Sequence, residues 1–193
     1  MKNVSKINPK GKYYKDVRKL CGPLLQGRVL VIDPSIGSTS SLPGYAIYQE
    51  GFLLDSGTIF TGGSHLELWQ RARKLGDALR TLCYENDIEV LVYEDIPATS
   101  GFNQNAIASL LKAVGVVLSC TSSAHVLGVH PASWKNYARP EYQKGDREDA
   151  IEIGWVTIAL AQYIQRSTTE RDTSTGEDIQ SGDGRPQRRR RAR

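Results

Sequence analysis

The side chains best suited to chemistry in this sequence are carboxylates at three places along the chain. Four fall within seven positions, just before an apolar run: Asp146, Glu148, Asp149 and Glu152. Two others end apolar segments, Asp33 in "VLVID" and Glu94 in "LVYE". Carboxylate oxygens without His or Cys favour Mg²⁺ or Mn²⁺ over zinc. Two such ions about 4 Å apart are a known device for phosphodiester cleavage.

The acid-rich segment is predicted to open a helix over about 147–166. Counting from Asp149, apolar residues recur at helical spacing along one stripe: Ile153, Val156, Leu160 and Ile164. Asp149 stands at the top of this stripe, and Asp146 lies one turn earlier on the same face, about 5 to 6 Å away. We therefore expect Asp146 and Asp149 to point inward, Glu148 to be solvated, and Glu152 to serve as a spare ligand or a supporting group.

Helix capping is the alternative explanation for these acids. Carboxylates in a first turn stabilise a helix by a few tenths to about 1 kcal/mol each. That accounts well for Glu148. It accounts less well for Asp146 and Asp149, because like charges about 4 Å apart repel by about 4 kcal/mol at an effective dielectric of 20. Inward-facing acids therefore call for a bound cation or for protonation.

The elements that must position these acids follow from the apolar periodicity. Strands are predicted at 29–32, 44–49 and 52–59 as an antiparallel meander with a turn at Glu50-Gly51. A helix over 64–86, a strand over 88–94, a helix within 103–120 and a strand over 125–131 complete an α/β domain with a mixed sheet. If the first and fourth strands are parallel neighbours, Asp33 and Glu94 emerge at the same edge. Each acid taken alone is equally well explained as a turn residue.

Charge divides the chain into three parts. The net charge is +4, but both ends are basic and the middle is acidic. We expect a basic N-terminal extension over 1–27, an acidic globular domain over 28–166, and a disordered, Arg-rich tail over 167–193. This charge distribution is consistent with an acidic site in the middle segment and with basic terminal segments that hold a polyanion near that site.

Composition also limits the class of protein. No apolar stretch approaches the roughly 20 residues of a membrane span, and the N-terminus has no apolar signal core. We expect no membrane association and a cytoplasmic protein of a bacterial or phage-infected cell. Three widely spaced cysteines form no CxxC pair, which indicates buried free thiols and no zinc site. The three histidines are expected to be structural or at the surface: His65, His125 and His130.

Four ordered blocks carry a family resemblance. The segments "VLVIDPSIGSTSSLPGYAIY", "LVYED", "NQNAIASLLKAVGVVLS" and "GDREDAIEIGWVTIALA" resemble the RuvC family of Holliday-junction resolvases, in the RNase H-like superfamily, with a phage-type member as one option. The likeness spans about 28–166. It departs from the family at Asp-Pro-Ser, where Asp-Pro-Gly is usual, and in the basic N-terminal extension.

The resemblance implies both a fold and an activity. The implied fold is an RNase H-like mixed five-stranded sheet, a three-strand antiparallel meander plus two parallel strands, flanked by helices. The implied activity is Mg²⁺-dependent nicking of two opposed strands of a four-way junction by a homodimer, with Mn²⁺ as a substitute. The implied catalytic and metal-binding set has four carboxylates, Asp33, Glu94, Asp146 and Asp149. Phe102, in the loop after the second acid, is the candidate for contacting the junction.

Several basic residues are candidate DNA contacts. Lys135 and Arg139 in "SWKNYARP" are predicted to bind backbone phosphates, and Lys144 to contact the scissile phosphate. For Lys144, an exposed loop lysine is an equal alternative. Trp134 is better explained by core packing than by base stacking. The Arg-rich end adds four candidates, with a solubilising tail as the alternative: Arg188, Arg189, Arg190 and Arg191.

Two rival functions stay open. The segment "DPSIGSTSSLPGYAIYQEG" resembles the phosphate loop of sugar-kinase and actin-like ATPases, although these need two such domains and this chain has room for one. A catalytically silent junction-binding or single-strand-binding protein is the second rival. Among nucleases, a broader debranching enzyme or a ribonuclease H would use similar carboxylates.

Overall fold

The computed structural model describes residues 4–35, 42–63, 65–95, 104–120 and 125–174, and side chains for all of these except 104–106 and 171–174. The strands are β1 Arg28–Asp33, β2 Gly44–Gln49, β3 Phe52–Thr58, β4 Val90–Glu94 and β5 His125–Val129. The helices are α1 Lys12–Lys19, α2 Cys21–Gln26, α3 Leu68–Glu85, α4 Gln104–Ser119, α5 Pro131–Trp134 and α6 Asp146–Ser174.

The five strands form one mixed sheet in the order β3-β2-β1-β4-β5. Strand β1 pairs antiparallel with β2, and β2 pairs antiparallel with β3. Strand β4 runs parallel to β1 and to β5. The predicted mixed sheet, a three-strand antiparallel meander plus two parallel strands, is confirmed. The β2–β3 turn has positive φ angles at Glu50 and Gly51 (52° and 84°), as tight hairpin turns matching the twist of the strands require.

Both faces of the sheet are covered, which explains why β1 is apolar along nearly its whole length. Val29 and Val31 pack on one face with apolar residues of α1, α2 and α6. Leu30 and Ile32 pack on the other face with residues of α3 and α4. A strand buried on both sides has a continuous apolar run instead of alternation.

Helix α6 packs closely on the face formed by β1 and β2. Its predicted inward stripe, Ile153, Val156, Leu160 and Ile164, is buried throughout. Gly154 permits the close approach, because a Cβ atom there would overlap the ring of Tyr48. The Tyr48 hydroxyl donates a hydrogen bond of 2.6 Å to the carbonyl oxygen of Ile151. The start of α6 is thereby fixed against the sheet.

The N-terminal residues belong to the packed core, although we predicted a separate basic extension over 1–27. Val17 of α1 and Leu24 of α2 are both 0% exposed. The Tyr13 hydroxyl lies 2.9 Å from Oγ1 of Thr157 in α6. Residue 28 therefore does not mark the start of the packed unit, because apolar side chains before it complete the core on this face.

Two other boundaries differ from the prediction. Helix α6 continues to Ser174, whereas we placed its end at 166 and expected disorder from 167. Its last turns keep helical bonding, since the Ser167, Thr168 and Thr169 hydroxyls donate to carbonyl oxygens four residues earlier. Strand β5 ends at Val129 and not at 131, because α5 starts there with His130 as its N-cap. Within the described ranges, none of the helices combines the length and apolar character needed to cross a lipid bilayer.

Candidate active site

The carboxylates of Asp33 and Glu94 come from the ends of neighbouring parallel strands. The register that pairs Ile32 with Tyr93 places Asp33 beside Glu94. Side chains alternate between the faces of a sheet, so Asp33 lies on the face of Val31, and Glu94 on that of Val92. This is the face that α6 covers. The predicted meeting of these acids at one sheet edge is therefore present in the structure.

The first turn of α6 adds two further acids at this edge. A Cβ atom at Gly44 would overlap the backbone of Asp146, so the glycine at the start of β2 allows α6 to begin directly against the sheet. The amide of Leu42 donates a hydrogen bond of 2.9 Å to Oδ2 of Asp146. Asp149 is buried, with 7% of its surface exposed. Asp146 and Asp149 therefore lie at the N-terminal end of α6, near the strand ends that carry Asp33 and Glu94.

The pKa of Asp33 is the clearest electrostatic evidence for this arrangement of carboxylates. It is 7% exposed, and burial is the largest cause that raises its pKa, to about 8. Repulsion from neighbouring carboxylates adds to the rise, in decreasing order from Glu94, Asp149 and Asp146. Lys135 opposes it by favouring the ionised form. The other three predicted acids thus lie close enough to Asp33 to disfavour its ionised form.

Glu94 is held by two residues that follow β5. The indole N–H of Trp134 donates a hydrogen bond of 3.0 Å to Oε1 of Glu94. The ammonium group of Lys135 lies 3.3 Å from the same oxygen. Burial raises the pKa of Glu94, while Lys135 and Trp134 partly offset that rise. Trp134 is 0% exposed, so the predicted core position of this residue is confirmed and base stacking by it is not supported.

Asp149 has an aromatic partner of its own. The Tyr142 hydroxyl donates a short hydrogen bond to Oδ1 of Asp149. The Tyr142 ring packs edge-on against Trp134, with centroids 5.7 Å apart and an interplanar angle of 86°. Burial, followed by the bond to Asp149, raises the pKa of Tyr142. The two aromatic rings therefore link the partner of Glu94 to the partner of Asp149.

The acids share a region but do not close around a single point. Within the described ranges, no three His, Cys, Asp or Glu side chains converge closely enough to hold a metal ion. Instead Asp146 accepts from Leu42 and Asp149 from Tyr142. The donor chemistry still fits Mg²⁺, since all four side chains offer carboxylate oxygens. The repulsion at Asp33 supplies a reason for a cation to bind, and binding requires some of these side chains to turn.

Glu152 and Arg139 form a pair that the sequence prediction assigned to other roles. The Glu152 side chain is 1% exposed. Its carboxylate accepts two hydrogen bonds from Arg139, one from Nε at 2.9 Å and one from the Arg139 backbone amide at 2.6 Å. The Arg139 guanidinium also lies 5.4 Å from the centroid of the Trp155 ring. Glu152 is therefore not a spare ligand, because its two oxygens hold Arg139. Arg139 is held through Nε while a third of its side chain stays exposed, and its contact with backbone phosphates stays a prediction.

The other predicted DNA contacts have different positions. Lys135 lies at the acid cluster beside Glu94 and not on a separate surface. Lys144 is exposed, two residues before α6. Phe102 lies outside the described residues, as do the four tail residues Arg188, Arg189, Arg190 and Arg191.

Sequence reasoning missed the contact made by Tyr142 and the direct role of Trp134 at Glu94. Both residues lie in the segment between β5 and α6, which lacks apolar periodicity. A tyrosine or tryptophan there is a common core residue, so its type alone does not point to a carboxylate partner. The weak available signal was that both aromatics fall close in sequence to Lys135 and the acids of α6.

Comparison with known structures supports this architecture. Thermus thermophilus RuvC in complex with a Holliday junction substrate matches with a TM-score of 0.56 and 13% identity, covering 73% of this chain and 95% of that chain. A second structure of Thermus thermophilus RuvC matches with a TM-score of 0.52 and 16% identity, covering 74% and 96%. The yeast mitochondrial Holliday junction resolvase Ydc2 matches with a TM-score of 0.52 and 12% identity, covering 89% and 100%. No protein-family model and no curated protein sequence matches the chain.

The class of protein follows from the sheet order and these likenesses. The chain has a RuvC-like RNase H fold, as the ordered sequence blocks predicted. At 12 to 16% identity the likeness establishes the fold, and function must be argued from the site.

Proposed function

We propose that this protein is a divalent-metal-dependent endonuclease that cleaves branched DNA, with a four-way junction as its substrate. The observation that carries the proposal is the position of Asp33 beside Glu94 at the sheet edge, with Asp146 and Asp149 opening the helix above them. The RuvC-like fold is consistent with this activity, and one matching RuvC structure contains a Holliday junction substrate.

The buried acid Asp33 supports a cation at this edge. Burial, with repulsion from the neighbouring carboxylates, raises the pKa of Asp33 to about 8, which favours the protonated carboxyl over the ionised one. A divalent cation would neutralise the repulsion and displace that proton. Oxygen-only donors make Mg²⁺ the expected ion and Mn²⁺ a substitute. The residues that would hold it are Asp33, Glu94, Asp146 and Asp149.

The chemistry is phosphodiester hydrolysis. Two bound divalent cations would supply an activated water nucleophile and stabilise the leaving 3′ oxygen. Trp134 orients Glu94 by fixing one of its oxygens. Tyr142 donates to Asp149, and a cation would have to compete with that hydrogen bond for the carboxylate. Lys135 places a positive charge at the same edge, where an incoming phosphate would add negative charge.

DNA is expected to approach the open edge of the sheet. Lys144, exposed just before α6, is the proposed contact for the scissile phosphate. Phe102 and the tail arginines remain predicted contacts for the junction and its backbone. A homodimer would supply two such edges, as nicking of two opposed strands requires.

The rival interpretations make different predictions. A silent junction-binding protein finds support in one observation, since the acids do not converge on a common point in the described structure. That protein would bind a junction and leave it uncut in Mg²⁺. The ATP-binding interpretation depends on the loop after β1, of which residues 36–41 lie outside the described residues.

Cleavage of matched substrates tests the proposal. Labelled four-way junction, fork, duplex and RNA–DNA hybrid are incubated with Mg²⁺, with and without ATP. We expect ATP-independent nicking of the junction, and more than a hundredfold loss in Asp33→Asn and Asp149→Asn with binding retained. Asp87→Asn is the matched control, because Asp87 is exposed and has a positive φ that Asn tolerates. Binding without cleavage by the wild type would favour the silent protein, and preferred cutting of the hybrid would favour a ribonuclease H.

A further inference from the structure

Helix α1 has an apolar inner side and a cationic outer side. Val17 is fully buried, and Tyr13 and Tyr14 are partly buried against the same core. At 100° per residue the four cations of the helix fall together on the opposite arc. They are all exposed, and we call them the α1 ridge: Lys12, Lys15, Arg18 and Lys19.

Most of the charge on the α1 ridge is not neutralised by protein acids. Asp16 lies 3.4 Å from Lys19 in an ion pair that is largely exposed, and such pairs contribute little. In the part of the chain that the structure describes, Lys12, Lys15 and Arg18 form no ion pair. A solvated helix face usually mixes both signs of charge, whereas this one has four cations and one acid.

The α1 ridge adjoins the edge that carries the acids. A depression of about 320 Å³ is lined by Lys12, Asp16 and Lys19 of α1, by Tyr93 and Asp95, and by residues of β5. Tyr93 and Asp95 are the residues on either side of Glu94 at the end of β4. The ridge residues themselves border a larger open groove of about 660 Å³. The α1 ridge therefore reaches the end of β4, the strand that carries Glu94, from the side of β5.

We propose that the α1 ridge binds the phosphate backbone of a duplex arm as that arm leaves the active site. This inference rests on the proposed function, since it assumes branched DNA at the acid cluster. The helix is anchored by buried residues, so the ridge is a fixed surface and not a flexible basic arm. The binding is independent of base sequence, because the ridge presents ammonium and guanidinium groups.

The length of the ridge sets the size of the expected effect. From Lys12 to Lys19 the helix rises about 10 Å, which matches roughly three phosphates along one DNA strand. Each lost phosphate contact reduces the slope of log K against log salt by about 0.9. With the affinity at 1 M salt unchanged, one lost contact weakens binding about eightfold at 0.1 M salt.

A salt titration of junction binding tests the ridge. The full chain is bound to a labelled four-way junction in EDTA, so that metal-dependent cleavage does not interfere. Wild type is compared with the triple variant Lys12→Gln, Lys15→Gln and Arg18→Gln. We expect the slope to fall by about 2 to 3 and the affinity at 0.1 M salt to fall by about a hundredfold or more. The double variant Lys12→Arg and Lys15→Arg, which together with Arg18 presents three arginines, should keep the wild-type slope.

A charge-matched control separates a local contact from a general effect of net charge. Arg73, Lys74 and Lys112 are exposed on α3 and α4, across the sheet from α1. Their change to Gln should leave the slope nearly unchanged. Equal slopes for the ridge and control variants would overturn the inference. Should the triple variant fail to fold, Lys15→Gln alone must lower the slope by about 0.9. Failure of the proposed function is a separate result: a wild type that binds the junction without cutting it in Mg²⁺.

Discussion

Replacing Asp33 with Asn should stabilise the metal-free protein at alkaline pH. The residue is 7% exposed, and burial together with repulsion from three carboxylates raises its pKa from 3.8 to about 8. An ionised carboxylate at this position is therefore unfavourable in the folded state. Asparagine keeps the shape and removes the charge.

The direction of the pH effect follows from proton binding. Between about pH 4 and pH 8 the folded protein keeps a proton on Asp33 that the unfolded chain has lost. The free energy of unfolding therefore falls as pH rises through this window, and the loss is complete above pH 8. A shift of about four pKa units corresponds to on the order of 5 kcal/mol as an upper bound. At pH 5, about one unit above the unfolded pKa of 3.8, only about 1.6 kcal/mol of this loss has occurred, so wild type and Asp33→Asn should differ least there.

Urea unfolding in EDTA at pH 5, 7 and 9 measures this difference. Asp33→Asn should be the more stable protein at pH 9, and Mg²⁺ should raise the stability of wild type more than that of the variant. Asp87→Asn, at an exposed position, should follow the wild-type pH profile. If Asp33→Asn has the same pH profile as wild type, or is destabilised equally at every pH, then Asp33 is not a strained acid in a carboxylate cluster.

Other residues give further expectations. Trp134→Phe removes the hydrogen bond to Glu94 while keeping most of the buried ring. This variant should bind Mg²⁺ about tenfold or more weakly and bind the junction in EDTA as tightly as wild type. An unchanged Mg²⁺ affinity by calorimetry would contradict a role for Trp134 in holding Glu94. Gly154→Ala should lower the free energy of unfolding by about 1 to 3 kcal/mol, because the added Cβ atom would overlap the Tyr48 ring. A variant as stable as wild type in thermal unfolding would contradict this close contact between α6 and the sheet. Deleting 181–193 should weaken junction binding and flatten its salt slope without stopping cleavage; an unchanged slope would show that the tail makes no phosphate contact.

The sheet was predictable because its determinants are local. The apolar run of β1 stops at Asp-Pro, and the hairpin turn is marked by Glu50-Gly51. A helix between β3 and β4 makes a parallel crossover to β1 the natural connection. Placing Asp33 and Glu94 together needed nothing more than this topology. The inward direction of Asp149 followed in the same way from the apolar stripe of α6.

Contacts between distant segments were not predictable in this way. The pairing of Arg139 with Glu152 joins a loop to the second turn of α6, and periodicity gives no information about such a loop. The N-terminal helices were misjudged for another reason. Their many cations dominate the composition, while the few apolar residues that enter the core, Val17 and Leu24 among them, form too short a pattern to stand out.

Location of a bound metal tests the central claim most directly. Crystals of the full chain grown with Mn²⁺ would show each ion by its anomalous scattering. The account predicts manganese peaks between Asp33, Glu94 and the first turn of α6, with Asp149 turned away from Tyr142 toward the metal. An ordered edge without manganese at saturating concentration, with the four acids still holding their present protein partners, would contradict it.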